Sequence, residues 1–197
     1  MLRAPLKSGV TQLITPLARA MIRIGITANG ITWVGAIGSW IASIVFFTRG
    51  NFFVGTLVIA FFLLSDLFDG TIARLTSAAG TRFGALLDST LDRISDALVI
   101  VALILWAIED EISWILPLAL SLTLGFLISY IKARAEALQI ACEAGIAERS
   151  ERLIVLLTST GLYGLGVDSA MSVGLWVLVV INLITVGQRF YIVMRDA

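Results

Sequence analysis

Long apolar stretches constrain this chain more than any other feature of its sequence. A membrane span needs roughly 20 mainly apolar residues, and six stretches approach or reach that length. Only 14% of the 197 residues are charged, against about 25% in soluble domains, and the mean hydropathy is +0.97. The bilayer is therefore the expected solvent. The predicted spans are Ile31–Thr48, Phe52–Phe68, Leu86–Ile108, Ile112–Ile131, Leu153–Leu165 and Met171–Phe190.

The residues before the first span and the basic residues of the loops predict the topology. Apolar side chains mix with Arg19 and Arg23 at helical spacing, which is typical of a helix lying in the membrane interface. Of the 14 Lys and Arg residues, only Arg49 lies on the side away from the termini, and cytoplasmic loops carry the basic excess. We expect an all-α integral membrane protein of the cell membrane. It would be a single domain over residues 1–197, with six transmembrane helices, an interfacial segment at residues 1–25 and both termini in the cytoplasm.

The composition excludes several kinds of function. The chain has no histidine and one cysteine, Cys142, so histidine-based catalysis, histidine-ligated zinc and an intramolecular disulfide are ruled out. Its formal net charge is zero, whereas a nucleic-acid-binding protein would carry a basic excess. Any chemistry must use carboxylates, hydroxyls, Lys and Arg.

Carboxylates cluster between the end of the second span and the start of the third. Asp66 and Asp69 are three residues apart, whereas Asp88, Asp92 and Asp96 follow one another at steps of four. Each set therefore forms a stripe on one helix face. The two helices are joined by a short cytoplasmic loop, so we expect them to be antiparallel neighbours whose stripes face each other.

Ionisable residues inside a span are functional hypotheses by default. Converging carboxylates repel unless hard cations lie between them, and all-oxygen ligation suits Mg²⁺ or Mn²⁺. Paired divalent ions serve phosphoryl chemistry. Three alternatives stay open. Asp66 and Asp69 could cap a helix, Asp96 could pair with a neighbouring arginine, and the chain could be a divalent-cation transporter, although its last three spans hold no acid in their interiors.

The carboxylates belong to a longer pattern. It reads Asp66-x2-Asp69-Gly70-x2-Ala73-Arg74, then Gly84-x3-Asp88-x3-Asp92. This pattern resembles the signature of the CDP-alcohol phosphotransferases, integral membrane enzymes that move a phosphatidyl-type group from a CDP-linked lipid to an alcohol. The six-span layout extends the resemblance over nearly the whole chain.

The resemblance implies a role for each signature residue. Asp66, Asp69, Asp88 and Asp92 would hold two Mg²⁺ ions, with Mn²⁺ as the alternative, and Asp92 would also be the general base. An acceptor hydroxyl would attack the lipid-side phosphorus of the donor, and CMP would leave. The residues implied for CDP binding are Asn29, Gly30, Ile31, Thr32, Gly70, Arg74 and Thr81. The start of span one also reads as a helix cap, with Asn29 or Thr27 as the N-cap.

A second basic set lies at three helix ends facing the cytoplasm and could bind a phosphorylated acceptor. Its members are Lys132, Arg134, Arg152 and Arg189. Lys132 and Arg134 are about 200° apart on a helix, so we expect only one of them to face the site. The alternative is ordinary membrane anchoring by snorkelling side chains.

The sequence around this basic set resembles the phosphatidylinositol phosphate synthases of actinobacteria. The matching stretches are Tyr130–Ala137, Gly145–Arg152 and Gln188-Arg189. The resemblance implies CDP-diacylglycerol as donor and inositol 1-phosphate as acceptor, with Lys132, Arg152 and Arg189 around the acceptor phosphate, and a homodimer in the membrane. Glycerol 3-phosphate is the alternative acceptor, since it also requires a basic phosphate site.

Overall fold

The computed structural model describes residues 15–25, 27–64, 68, 71–72, 75–76 and 81–196. Within these ranges every regular element is helical, and residues 15–23 form a helical segment ahead of the longer helices. Short 3-10 turns lie at Phe47–Arg49 and Ile112–Trp114. The longer helices are α1 (Ala28–Phe46), α2 (Phe52–Leu63), α3 (Arg82–Asp110), α4 (Ile115–Ala137), α5 (Arg149–Gly164) and α6 (Ser169–Asp196).

Within the part of the chain that the structure describes, three helical segments are long and apolar enough to cross a membrane. They are Ala28–Arg49, Ile112–Ala137 and Ser169–Asp196. Large apolar side chains such as Ile37, Leu105 and Leu183 are exposed on the helices, which suits a lipid surrounding and is unusual in water. The prediction of an all-helical membrane protein is confirmed, while the count of six spans stays a prediction.

The described chain divides into two compact units. The first contains the residues up to Ala42 and those within Val58–Ser95; the second contains Ser43–Leu57 and the residues from Asp96 onward. Helix α3 contributes to both, because the division falls between Ser95 and Asp96.

In the first unit, apolar packing joins the N-terminal helical segment to α1. Ala18 and Ile31 are buried together with Ile72, and Met21 packs against this cluster. Helices α1 and α3 are joined by a hydrogen bond in which Trp40 Nε1 donates to Ser95 Oγ at 2.9 Å. Burial of this apolar surface stabilises the start of α1, where part of the candidate site lies.

In the second unit, aromatic rings join four elements where α2 begins and α3 ends. The ring of Phe52 lies 4.8 Å from Trp106, and Trp114 lies 4.9 Å from Tyr163. Both pairs meet edge to face, which is a favoured geometry for aromatic side chains. These ring contacts hold the start of α2 and the end of α3 against the 3-10 turn at Trp114 and helix α5.

Small residues allow the helices of the second unit to approach closely. A Cβ added to Gly174 of α6 would lie 1.7 Å from Ser159 Oγ on α5, and one added to Gly164 would lie 2.3 Å from the main-chain N of Phe53. Thr56 and Thr160 share a hydrogen bond of 2.8 Å between their hydroxyls. Close contacts through small residues and hydroxyls are typical of helix packing in membranes.

We expect Gly174→Ala to lower the stability of the protein by about 1–3 kcal/mol, because the new methyl group overpacks the α5–α6 interface. The midpoint of thermal unfolding in a single detergent measures this effect. Gly187→Ala is the matched control on the same helix, since nothing lies within 4 Å of a Cβ at that position. Alanine is the better helix former, so the control is expected to match or exceed the native midpoint. An unchanged midpoint for Gly174→Ala would contradict the packing described.

Candidate active site

The carboxylate stripe of α3 is formed as the sequence predicts. Asp88, Asp92 and Asp96 lie within one uninterrupted helix, so their four-residue steps place them on one face. Asp88 is exposed and the other two are half-buried. Arg93 Nη2 lies 3.9 Å from Asp92 Oδ2, an ion pair between neighbouring residues.

The donor chemistry of this stripe fits a hard divalent cation. Asp88 and Asp92 present carboxylate oxygens one turn apart, which suits Mg²⁺ or Mn²⁺. Among the described residues, no group of three or more His, Cys, Asp or Glu side chains is placed to hold a metal ion. Asp66 and Asp69 lie outside those residues, so convergence of the four aspartates stays a prediction. Gly70 and Arg74 lie outside them as well.

Two of the residues predicted for CDP binding come together in the first unit. Asn29 Oδ1 lies 3.3 Å, and Thr81 Oγ1 lies 3.1 Å, from the position that a Cβ on Gly84 would take. Thr81 Oγ1 also accepts a hydrogen bond of 2.9 Å from the Gly84 N–H and so caps α3. The signature glycine therefore keeps the space between an amide and a hydroxyl clear of a side chain.

Some of the residues predicted to bind CDP at the start of α1 also make local hydrogen bonds or pack in the apolar cluster. Thr27, rather than Asn29, is the N-cap, because its Oγ1 accepts a hydrogen bond of 3.1 Å from the Gly30 N–H. Ile31 is buried in the apolar cluster, and Thr32 Oγ1 donates to the Ala28 carbonyl at 3.0 Å. Asn29 and Gly30 are exposed. A donor contact at any of these positions stays a prediction.

Two of the predicted acceptor residues are buried arginines that hold the same piece of chain. Arg152 is 8% exposed and Arg189 is 6% exposed. Arg189 Nε donates to the Ala144 carbonyl at 2.9 Å, and Arg152 Nη1 donates to the Ala147 carbonyl at 3.1 Å. Arg189 Nη1 also donates to the Ile128 carbonyl of α4. We call Ala144–Ala147, between α4 and α5, the clamped segment.

Helix α6 makes further contacts with the clamped segment. The Ala147 N–H donates to Thr185 Oγ1 at 3.0 Å, and the Ile146 N–H donates to Gln188 Oε1 at 3.2 Å. Gly145 has φ +140°, and a Cβ there would lie 2.6 Å from Thr185 Cγ2. Glycine is therefore required for the segment to pass this close to α6.

The other two predicted acceptor residues lie at the surface of α4. Lys132 and Arg134 are both exposed, and Lys132 Nζ lies 3.9 Å from Glu136 Oε1, one turn further along. Exposed pairs of this kind are weak. Of the four cations, the structure thus brings Arg152 and Arg189 to one segment.

Asp96 has partners that the sequence leaves undecided. Its Oδ1 lies 3.2 Å from Arg149 Nε, and its Oδ2 lies 3.6 Å from Arg152 Nη2. The alternative in which Asp96 pairs with an arginine is confirmed. Arg149 is missing from the predicted site, although its three-residue spacing from Arg152 places both on one face of α5.

Comparison with known proteins decides the family. The family model for CDP-alcohol phosphatidyltransferases matches residues 25–187. The chain belongs to the CDP-alcohol phosphatidyltransferase family. Members of this family transfer a phosphatidyl group from a CDP-linked donor to an alcohol, so the chain is a membrane transferase of phospholipid biosynthesis.

Similar proteins from three bacteria carry one name. The phosphatidylinositol phosphate synthase of Mycobacterium marinum is 39% identical over 193 residues, covering 95% of this chain and 82% of that protein. The enzyme of that name from Mycobacterium tuberculosis is 38% identical over 193 residues, covering 95% of this chain and 88% of that protein. The protein of that name from Streptomyces avermitilis is 36% identical over 196 residues, covering 95% of this chain and 80% of that protein.

Crystal structures of the Mycobacterium tuberculosis phosphatidylinositol phosphate synthase share the fold of this CDP-alcohol phosphatidyltransferase. The structure with CDP-DAG bound has a TM-score of 0.87 at 39% identity and covers 92% of this chain and 94% of that one. The complex with manganese and citrate has a TM-score of 0.86 at 39% identity and covers 92% of this chain and 88% of that one.

Proposed function

We propose that this CDP-alcohol phosphatidyltransferase transfers the phosphatidyl group of CDP-diacylglycerol to the hydroxyl of inositol 1-phosphate. CMP is released and phosphatidylinositol phosphate is formed. The observation that carries the choice of acceptor is the pair of buried arginines, Arg152 and Arg189, on the clamped segment. Guanidinium groups fixed in this way suit a phosphate monoester. The similar proteins of several actinobacteria carry the matching name.

The catalytic half of the site uses the four signature aspartates. Asp66, Asp69, Asp88 and Asp92 together offer only carboxylate oxygens, which fit two Mg²⁺ ions or, alternatively, Mn²⁺; a solved relative was crystallised with manganese. Held by these carboxylates, divalent ions would supply positive charge against the pyrophosphate oxygens of the donor. Asn29, Gly30, Ile31 and Thr32, with Gly70, Arg74 and Thr81, bind the CDP group in this proposal.

Asp92 serves as the general base. Its half-buried carboxylate removes the proton from the acceptor hydroxyl as the hydroxyl oxygen bonds to the lipid-side phosphorus. The bond from that phosphorus to the bridging pyrophosphate oxygen breaks, and CMP leaves with the bonding electrons. Since the chain has no histidine, a carboxylate is the side chain best suited to this task.

The acceptor half of the site uses the basic set. Arg152 and Arg189 bind the phosphate of inositol 1-phosphate, and Lys132 reaches it from the end of α4. Arg134 lies about 200° from Lys132 around α4, which leaves it to anchor the helix at the membrane surface.

The membrane arrangement is part of the proposal. Helices α1 to α6 follow the order of the six apolar stretches, and this supports a single six-span domain over residues 1–197. Residues 1–25 lie in the interface, the helical part at residues 15–23 among them. The distribution of basic residues supports cytoplasmic termini and an active site at the cytoplasmic face of the cell membrane. Two copies form a homodimer.

Release of CMP from CDP-diacylglycerol tests the reaction and the acceptor. With Mg²⁺ present, we expect inositol 1-phosphate to support release and both glycerol 3-phosphate and free inositol to fail, because the arginine pair requires a phosphate and the rest of the site selects the ring. Chelation of the metal should stop release. Release with glycerol 3-phosphate alone would contradict the acceptor. Metal uptake by proteoliposomes without lipid transfer would favour the transporter alternative.

Substitution of the proposed base gives a second test. Asp92→Asn should lower kcat by about 10²–10⁴-fold while the affinity for CDP-diacylglycerol changes little, because the amide keeps the size of the side chain and cannot take the proton. Asp110→Asn, at the far end of the same helix, is the matched control and should turn over as the native protein does. Native kcat in Asp92→Asn would remove Asp92 as the base.

Substitution of Arg189 tests the acceptor site. Arg189→Gln should raise KM for inositol 1-phosphate by about tenfold or more, as expected for loss of a charge-assisted contact, with a much smaller change in KM for CDP-diacylglycerol. Arg195→Gln removes the same charge from the exposed end of α6 and should leave both constants unchanged. An unaltered acceptor KM in Arg189→Gln would exclude this arginine from the acceptor site.

A further inference from the structure

Asp96 bridges two arginines on the first turn of α5. One carboxylate oxygen lies 3.2 Å from Arg149 Nε, and the other lies 3.6 Å from Arg152 Nη2. The side chains of Arg149 and Asp96 are only 18% and 19% exposed. The reaction as described above uses neither Arg149 nor Asp96.

Electrostatics explains why a carboxylate is needed at this place. Arg149 and Arg152 carry like charges on one face of α5, and both lie at its N-terminal end, where the helix dipole disfavours cations. A buried and a half-buried guanidinium in this setting repel each other. The carboxylate between them offsets both the repulsion and the unfavourable dipole.

The same carboxylate restricts where Arg152 can point. Arg152 donates from Nη1 to the Ala147 carbonyl, faces Asp96 with Nη2, and passes Gly125 of α4, where an added Cβ would lie 3.8 Å from its Nε. The guanidinium is thus fixed at two edges. A ligand that binds a fixed side chain does not have to order it first.

We propose that Asp96 is a positioning residue for the acceptor phosphate: it holds Arg152 in its binding orientation and touches no substrate itself. The proposal rests on the proposed function, because it takes Arg152 as a phosphate ligand. In this proposal one face of α3 carries both the general base and the positioning residue, since Asp96 lies one turn after Asp92 on that helix.

Positioning and simple charge repulsion predict opposite effects on acceptor binding. A carboxylate close to a phosphate site weakens phosphate binding through its charge, so its removal would lower KM for the acceptor. If the carboxylate fixes Arg152, its removal raises KM instead. The direction of the change therefore decides between them.

Steady-state kinetics of Asp96→Asn test the proposal. We expect KM for inositol 1-phosphate and the inhibition constant of inorganic phosphate to rise by about tenfold, while KM for CDP-diacylglycerol and kcat stay within about threefold. Asp96→Glu keeps the charge and should recover most of the acceptor affinity. Asp196→Asn is the matched control, because it removes the carboxylate that pairs with Arg195 at the exposed end of α6; it should change nothing.

A double variant shows whether Asp96 acts through Arg152. In an Arg152→Gln background, Asp96→Asn should add little to the acceptor KM, since groups that act as one unit are not additive. Full additivity would overturn the proposal. An unchanged or lowered acceptor KM in Asp96→Asn would also overturn it.

The remaining outcomes are separable from a failure of the proposed function. Should Asp96→Asn fold poorly, Asp96→Ser provides the same test with a smaller side chain. Misfolding of both would overturn the proposal, because Asp96 would then serve the fold and not the acceptor. If the native protein uses a different phosphorylated acceptor, the proposed function fails, whereas the rise in the inhibition constant of inorganic phosphate still supports the role of Asp96.

Discussion

A charge removed from water inside a membrane protein must find its partners within the protein, and the second unit is organised around this requirement. Arg152 and Arg189 are both buried, so each guanidinium has to replace its hydration by internal acceptors. The chain supplies main-chain carbonyls at Ala144, Ala147 and Ile128, together with the carboxylate of Asp96. The contacts that replace the hydration of these cations also determine where the connection between α4 and α5 runs.

Much of the fold could be predicted from the sequence, because lipid selects long apolar stretches and helices follow from them. The face shared by Asp88, Asp92 and Asp96 could be predicted as well, since residues four positions apart lie on the same face of a helix. The signature pattern of aspartates and glycines led to the family that the comparison shows. These features depend on residues that are close together along the chain.

Partners distant in the sequence could not be predicted in the same way. Asp96 and Arg149 are separated by 53 positions. The spacing of charges along each helix does not predict which helices pack against each other. Thr27 and Asn29 are both good capping residues; Thr27 is the cap, whereas Asn29 comes close to Gly84 on α3. The choice between Lys132 and Arg134 likewise depends on what surrounds α4. Asp66 and Asp69 lie outside the described residues, so their convergence with Asp88 rests on the family signature.

The four hydrogen bonds to the clamped segment make the length of this loop difficult to change. Connecting loops usually tolerate changes of length, because few of their atoms are held. Here two carbonyls and two N–H groups within four consecutive residues are bonded to α5 and α6, and Gly145 leaves no space for a larger residue. An inserted or deleted residue would shift all of these partners at once. The burial of Arg152 and Arg189 therefore sets the length of this connection as well as its path.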